Sequence, residues 1–197
     1  MQVPAPDSSV LIGPVDPLWL MLACGALVIL FVHAAAAKLM DRSLFEQHLA
    51  AYGVPDALGP VAAVGLPLLE ALVAAGLVSP WRAEAAALAA ALLALYAGAM
   101  AWHRLHGRVL DCGCGGTPLP LSWALVARNA VLIGLCAVSA LPVLPREIGL
   151  ADVATALAGL VLACVLHVAL HQLLRLSSAR STAASIAAPS PFSRSQP

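Results

Sequence analysis

Two cysteines separated by one glycine, Cys112 and Cys114, are the residues of this chain whose type and spacing best fit covalent chemistry. The glycines around Cys114 permit a tight backbone, so the two thiols can reach each other and form a disulfide. A ring this small is strained, and strained, exposed disulfides are oxidising and easily exchanged. Arg108 nearby favours a thiolate, whereas Asp111, directly before Cys112, opposes one. The pattern predicts thiol–disulfide exchange.

Two other interpretations of the cysteine pair stay open on the sequence. In one, the cysteines are small filler residues of a membrane loop, although chance pairing at this spacing is uncommon. In the other, His103 and His106 join Cys112 and Cys114 in a zinc or copper(I) site. Structural zinc sites usually separate paired cysteines by two to four residues. One intervening residue fits that pattern poorly, so no metal is predicted.

The remaining cysteines, Cys24, Cys136 and Cys164, lie in long apolar segments. Cysteine is a common small residue of packed interiors, and the sequence favours that role for each of them. Cys24 and Cys136 are both predicted in the outer half of the membrane. A second pair that relays electrons with Cys112 and Cys114 therefore remains an alternative.

The elements that position these residues must lie in a membrane, because the composition is not that of a water-soluble domain. Of the 197 residues, 61% are hydrophobic and only 10% are charged, whereas soluble domains contain about 25% charged residues. This composition excludes a disordered chain, a nucleic-acid binder and an ordinary soluble enzyme. The net charge of zero also provides no field to attract nucleic acid.

Five continuous apolar segments are long enough to cross a bilayer, which takes roughly 20 residues per helix. They are rich in alanine and leucine and lack the alternation of membrane strands. The predicted fold class is therefore all-α, a polytopic membrane helical bundle of about five transmembrane helices. The segments are 18–39, 57–78, 84–103, 121–143 and 150–174.

Three regions are predicted along the chain. They are an N-terminal tail at 1–17, the transmembrane bundle at 18–174 with the cysteine loop at 104–120, and a disordered C-terminal tail at 175–197. The C-terminal tail is dense in Ser, Ala and Pro and cannot bury enough apolar surface to order itself. The N-terminal tail has no basic residue and so lacks the positive region of a signal peptide. The first span is therefore expected to be retained.

Basic residues near helix ends favour the cytoplasm, and here they are unevenly distributed. The side of the N-terminus has Arg82 and Arg146, and the other side has Lys38, Arg42, Arg104, Arg108, Arg175, Arg180 and Arg194. The N-terminus is therefore predicted to be periplasmic and the C-terminus cytoplasmic. The cysteine pair then faces the cytoplasm, although disulfide chemistry belongs outside it. Either the pair relays electrons across the membrane, or it is reached from outside, or this orientation is inverted.

Several polar side chains fall within or beside the predicted spans: His33, Lys38, Glu70, Arg128 and Asn129. An unpaired charge at this depth costs at least about 2.5 kcal/mol, and such groups usually face the bundle interior. Electrostatics therefore predicts a pair between Glu70 and Arg128. A structural bond between helices explains that pair as well as a functional one does.

Several of these residues together resemble the methylamine utilisation protein MauE and the wider MauE/DoxX group of redox-associated membrane proteins. The resemblance covers about 18–143, and its most specific part is the Asp-Cys-Gly-Cys core with the downstream Arg-Asn. Members more often have an aromatic residue where this chain has Gly115. The residues that show the resemblance are Lys38, Phe45, Tyr52-Gly53-Val54-Pro55, Glu70, Arg108, Asp111-Cys112-Gly113-Cys114 and Arg128-Asn129.

The resemblance implies a DoxX-like four-helix core plus one helix in a bacterial inner membrane. It also implies a role in maturing the disulfide-rich small subunit of methylamine dehydrogenase together with a thioredoxin-like periplasmic protein. Within that role, Cys112 and Cys114 would exchange disulfides, with Arg108 and Arg128 as electrostatic support. Glu70 or His33 would handle protons, and Asp111, Asn129 and Lys38 are further supporting residues.

Three classes of protein stay in competition. The first is a membrane thiol oxidoreductase, for which a quinone is an optional cofactor and no other cofactor is predicted. The second is a metal or small-solute carrier that uses Glu70, His33 and His103 as pathway ligands. The third is an assembly factor without catalysis, whose activity would survive the loss of every cysteine.

Overall fold

The computed structural model describes residues 13–108 and 121–187, and over these ranges the chain is helical apart from short connections and one isolated β bridge. The predicted all-α fold is confirmed. The helices are α1 (Pro17–Met40), α2 (Arg42–Ala51), α3 (Gly59–Leu77), α4 (Arg82–Leu105), α5 (Trp123–Ala140) and α6 (Leu150–Ala187).

Four of these helices, α1, α3, α4 and α5, are long and apolar enough to cross a membrane. They coincide with the first four predicted spans, so the polytopic membrane bundle is confirmed. A fifth crossing within α6 stays a prediction.

Helix α6 continues to Ala187, so residues 175–187 are helical where the sequence predicts a disordered tail. Alanine recurs in this stretch and has the highest intrinsic helix propensity. A helix can therefore continue there without burying an apolar face. Residues 188–197 lie outside the described ranges. Contacts between residues group the chain up to Leu160 into one compact unit, and α6 beyond Leu160 belongs to a second unit.

The four tryptophans of the chain are all exposed and lie at helix ends. Trp19 and Trp81 lie at the starts of α1 and α4, and Trp102 and Trp123 lie at the end of α4 and the start of α5. Along α4, the 21 steps from Trp81 to Trp102 span about 31 Å at the helical rise of 1.5 Å per residue. That length matches the bilayer core of about 30 Å, with tryptophan at both interfaces.

The helix ends meet at two faces of the bundle. At the N-terminal face, where α1, α4 and α6 begin, the Val15 amide donates to the Pro142 carbonyl at 2.9 Å. Arg82, at the start of α4, donates to the carbonyl oxygens of Ser139 and Leu141 at the end of α5. The opposite face, here called the α2 face, contains α2, the start of α3, the end of α4 and the start of α5.

Nearer the N-terminal face, the buried side chains of the described residues are apolar apart from Ser139, whose hydroxyl donates to the Leu135 carbonyl at 3.0 Å. Alanine dominates the inward side of α4 there, which lets α3 and α4 approach closely. The buried residues of this core are Leu27, Phe31, Val73, Ala74, Leu77, Ala85, Ala86, Ala89, Leu92, Leu93 and Cys136. Two smaller apolar clusters lie nearer the α2 face: Phe45, Leu49 and Ala63, and Met100, Leu121 and Leu125. Polar side chains are buried between these cores.

Candidate functional site

Five polar side chains in or beside the α2-face half of the bundle form what we call the polar cluster. Four of them, Lys38, Glu70, His103 and Asn129, are buried, and Tyr96 is partly buried. By helical rise, Glu70 lies about 17 Å from the start of α3 and Tyr96 about 14 Å from the end of α4. The cluster therefore reaches from the α2 face to the middle of the membrane.

The centre of the cluster is an ion pair inside the bundle. Lys38 Nζ lies 2.5 Å from Glu70 Oε1, and the two side chains are 6% and 1% exposed. Tyr96 donates its hydroxyl hydrogen to the same carboxylate oxygen at 2.9 Å. Lys38 is two residues from the end of α1, so its stem reaches inward from the interface. The two donors stabilise an ionised carboxylate that would otherwise be costly at this depth.

Aromatic rings surround the ammonium group. Lys38 Nζ lies 5.5 Å from the centre of the Phe45 ring and 5.4 Å from that of Tyr96, within the range of cation–π attraction. Phe45 is held in place because α2 is capped by Asp41, whose Oδ1 accepts from the Leu44 amide at 3.1 Å. The buried side of α2 then packs against Ala63 of α3.

His103 extends the cluster towards the α2 face. It lies seven residues after Tyr96 on the same side of α4, about 10 Å nearer the end of that helix. The edge of its ring meets the Tyr52 ring, with centroids 4.9 Å apart and planes at 84°. Tyr52 and Tyr96 both pack against the apolar cluster that contains Leu125. His103 and Tyr96 thus lie on one side of α4 with the buried, apolar Met100 between them.

Three buried polar atoms of the cluster have no hydrogen-bond partner within the described part of the chain. They are Glu70 Oε2, His103 Nδ1 and Asn129 Oδ1. Asn129 lies one turn after Leu125 on the inward side of α5. Since Tyr96 packs against the cores on both sides of Asn129, the amide lies near the level of Tyr96. A buried polar atom without a partner costs about 1–3 kcal/mol, so three in one region are unlike an ordinary core.

The structure brings only part of the predicted site together. Glu70, Lys38 and Asn129 are buried in the polar cluster, whereas Asp111, Cys112 and Cys114 lie outside the described residues. Arg108 is exposed just beyond α4, and its amide donates to the His103 carbonyl at 3.1 Å.

Two expectations about charged groups in the spans differ from the structure. Among the described residues, the ion-pair partner of Glu70 is Lys38, not the predicted Arg128, which is partly buried on α5. The long lysine stem reaches a carboxyl that sequence position alone does not connect to it. His33 is exposed on a different side of α1 from Lys38, so it does not join the cluster.

Phe45, Tyr52 and Tyr96 were not among the predicted site residues. A usable signal existed for Tyr96, because Tyr96 and His103 are polar and seven residues apart, which places both on one side of the alanine-rich α4. Phe45 and Tyr52 had a different signal, since both are among the residues that show the family resemblance. Their positions depend on how α2 packs under the bundle.

The segment with the two cysteines is attached beside this cluster at both ends. Before it, His103 contacts Tyr52, and Arg108, five residues after His103, directly precedes the segment. After it, Leu121 is buried against Met100 in the apolar cluster that also contacts Tyr52 and Tyr96. The described chain thus enters and leaves the segment 109–120 next to the polar cluster.

Comparison with known proteins gives one family. Residues 17–142 match the family described as methylamine utilisation protein MauE. The chain is 46% identical to the methylamine utilisation protein MauE of Paracoccus denitrificans over 114 residues, which cover 55% of this chain and 61% of that protein. It is 41% identical to the protein of that name from Paracoccus versutus over 144 residues, which cover 69% of this chain and 77% of that protein. The match thus spans less than two thirds of the Paracoccus denitrificans protein. No solved structure matches the chain.

Proposed function

Because this chain belongs to the family of the methylamine utilisation protein MauE, we propose that it serves methylamine utilisation by exchanging disulfides at Cys112 and Cys114. The observation that carries the proposal is the family match over 17–142, which contains both cysteines. The attachment of their segment beside the polar cluster adds support. The proposed site of action is the inner membrane of a bacterium.

The exchange proceeds through a mixed disulfide. One thiolate of the pair attacks a disulfide of a partner protein, and one partner sulfur leaves as a thiolate. The second cysteine then attacks the mixed bond, so the pair ends as a disulfide and the partner as a dithiol. Two electrons pass to the partner in this direction, and the reverse sequence returns them. Arg108 and Arg128 favour the thiolate electrostatically.

The proposed partners are a thioredoxin-like periplasmic protein and a disulfide-rich secreted protein such as the small subunit of methylamine dehydrogenase. A periplasmic N-terminus and a cytoplasmic C-terminus remain our proposed orientation. This orientation places the α2 face in the cytoplasm, so the cysteine pair serves periplasmic partners only if it relays electrons across the membrane or is reached from outside. A reporter fused to the C-terminus, with labelling of Cys112 from each side by a membrane-impermeant maleimide, tests this orientation. Labelling of Cys112 from the periplasm alone would overturn it.

The function is tested by replacing the thiols. Cys112→Ser, Cys114→Ser and the double variant should still insert in the membrane but should lose maturation of the partner. Cys164→Ser is the matched control, because Cys164 is exposed on α6, away from the pair in sequence. Full partner maturation by the double variant would refute exchange and favour an assembly factor. A single-cysteine variant should also trap a mixed disulfide, whose attached protein mass spectrometry identifies.

The carrier alternative has less support than the sequence suggested. It needs Glu70, His33 and His103 along one pathway, but His33 is exposed on α1 while Glu70 and His103 are buried. The pathway therefore lacks one of its three predicted ligands.

A further inference from the structure

The C-terminal end of α2 fixes the position of Tyr52. The Tyr52 amide donates to the His48 carbonyl at 2.9 Å, and Gly53 follows in the left-handed region at φ 88°. A residue with a side chain would be strained there, so the glycine allows the helix to end at this point. The Val54 amide then donates to the Leu49 carbonyl at 3.0 Å. Both of these residues pack against α3, so the backbone that carries Tyr52 is fixed on the bundle.

The Tyr52 ring contacts the chain that leads into the segment 109–120. It meets the His103 ring edge-on, with centroids 4.9 Å apart, which is a favourable geometry for aromatic rings. The Gly107 amide donates to the Arg104 carbonyl at 3.2 Å, and the Arg108 amide donates to the His103 carbonyl at 3.1 Å. Hydrogen bonds therefore connect His103 with Arg108, the last described residue before the segment.

The same ring packs where the chain leaves the segment. Tyr52 lies against the apolar cluster of Met100, Leu121 and Leu125. Leu121 is buried and is the first described residue after the segment. The Leu125 amide donates to the Ser122 carbonyl at 3.1 Å, at the start of α5. One side chain therefore holds both ends of the segment next to α2.

Holding both ends on one side chain restricts how the cysteines are presented. A disulfide is opened by a thiolate that must approach one particular sulfur. A small dithiol can reach that sulfur from many directions, whereas a docked protein reaches it in one orientation only. The position of the cysteine segment on the bundle therefore matters more for a protein partner than for a small reagent.

We propose that Tyr52 is a positioning residue for disulfide exchange, which orients Cys112 and Cys114 for a protein partner by holding both ends of their segment. Tyr52 acts through His103 and through the cluster that contains Leu121, and it takes no part in the chemistry. This role rests on the function proposed above. It gives α2 a part in the thiol site.

Two reductants test this role on the full chain in lipid nanodiscs, with the cysteine pair closed as a disulfide. Reduced thioredoxin represents a protein partner, and dithiothreitol represents a small dithiol. Either reagent ends as a disulfide and passes two electrons to the pair, which becomes a dithiol. Tyr52→Ala should slow reduction by thioredoxin about tenfold, because the docked orientation is lost, and should change reduction by dithiothreitol less than about twofold. Mass spectrometry of the alkylated cysteines gives both rates.

Further variants separate positioning from folding. Tyr52→Phe keeps the ring and should react like the unaltered chain. Tyr52→Leu keeps the apolar contact with the cluster but loses the ring edge on His103, so it should resemble Tyr52→Ala and replaces it if Tyr52→Ala does not fold. Trp102→Ala is the matched control, because Trp102 precedes His103 but its ring is exposed and lies against His106. This control should slow neither reductant.

Equal slowing of both reductants by Tyr52→Leu would overturn the proposal, as would unchanged rates with both, and either result leaves disulfide exchange intact. A pair that neither reductant opens in the unaltered chain would refute disulfide exchange itself, and the role of Tyr52 with it. Hydrogen exchange checks the contact without the thiols. Tyr52→Leu should speed amide exchange at Arg108 and Leu125 together, whereas Trp102→Ala should leave Leu125 unchanged. Unchanged exchange at both amides in Tyr52→Leu would also overturn the proposal.

Discussion

Lys38 and Glu70, thirty-two residues apart in the sequence, form an ion pair at 2.5 Å with both side chains buried in the bundle. The pair joins α1 to α3, and the Tyr96 hydroxyl joins α4 to the same carboxylate oxygen. Three of the membrane-crossing helices therefore meet at one atom, Glu70 Oε1. The stability of the bundle depends on this contact.

Removing one partner of the pair should destabilise the bundle strongly. Lys38→Met leaves a buried carboxylate without its counter-ion, which costs about 3–5 kcal/mol in comparable buried pairs. The double variant Lys38→Met/Glu70→Leu should lose less stability than the sum of the losses of Lys38→Met and Glu70→Leu, because neither charge remains. The free energy of unfolding in mixed detergent micelles measures both effects.

An exposed ion pair of the same chain serves as the control. Arg42 and Glu46 lie 3.1 Å apart on α2 with half-exposed side chains, and pairs of this kind contribute about 0.5 kcal/mol. Arg42→Ala should therefore change stability little. Equal losses for Lys38→Met and Arg42→Ala would contradict the buried ion pair.

The need for a partner at Glu70 could be predicted from the sequence, but the partner itself could not. A carboxyl in an apolar segment must be paired, and Arg128 was the charge nearest the middle of another span. The choice of Lys38 depends on the rotation of α1 about its axis and on the reach of the lysine stem. His33 shows the same limit, because the assumption that ionisable groups face inward fails for it.

A close approach of α3 and α4 makes Gly76 intolerant of a side chain. A Cβ atom at Gly76 would meet the Ala85 Cβ at 2.7 Å, and an alanine methyl cannot rotate away. Gly76→Ala should destabilise the bundle by about 1–3 kcal/mol, as overpacking does. Thermal unfolding in detergent gives the measurement.

The matched control is Gly65→Ala in the same helix, where an added Cβ meets nothing within 4 Å. There alanine should be neutral or should stabilise by up to about 1 kcal/mol through helix propensity. If both alanines had the same effect, α3 and α4 would not approach as closely at Gly76 as described.

The N-terminal face should show a pH dependence that comes from Asp16 and Asp152, which both pair with Arg146. Hydrogen bonds from Arg146, and then from the Leu18 amide, lower the pKa of Asp16 below its usual 3.8. The stabilisation is therefore fully present above 3.8 and is lost as the pH falls through the lower pKa of the folded state. Hydrogen bonds from Arg146 also lower the pKa of Asp152 to about 2. The bonds to Asp152 and then to Asp16 raise the pKa of Arg146, so the arginine stays charged throughout.

Arg146→Gln tests this dependence. The difference in melting temperature between the unaltered chain and Arg146→Gln should be constant near neutral pH and should shrink in acid. Arg82→Gln is the control, because Arg82 donates to backbone carbonyl oxygens, which do not titrate. If the difference in melting temperature for Arg146→Gln were as insensitive to pH as that for Arg82→Gln, the role of the Asp16 and Asp152 carboxylates would be refuted.

Element types were easier to predict than their ends. Unbroken apolar segments indicated the four long helices, because the length of a bilayer crossing sets the length of the segment. The continuation of α6 to Ala187 had no such marker. Composition indicates whether a segment can bury a face, but an alanine-rich helix can extend without burying one.

The buried thiols should be inert, in contrast to Cys112 and Cys114. Cys24 and Cys136 are packed in the interior and unpaired, whereas Cys164 is exposed. Buried cysteines in apolar surroundings react poorly because the thiolate is disfavoured. In a variant with Cys112→Ser and Cys114→Ser, a lipid-soluble maleimide should therefore label Cys164 in the folded protein. It should label Cys24 and Cys136 only after unfolding.

The variant Cys24→Ala/Cys136→Ala should retain partner maturation. This variant could instead insert and fold but lose partner maturation as completely as Cys112→Ser/Cys114→Ser. Cys24 and Cys136 would then form a second pair that relays electrons, and their role would not be limited to packing.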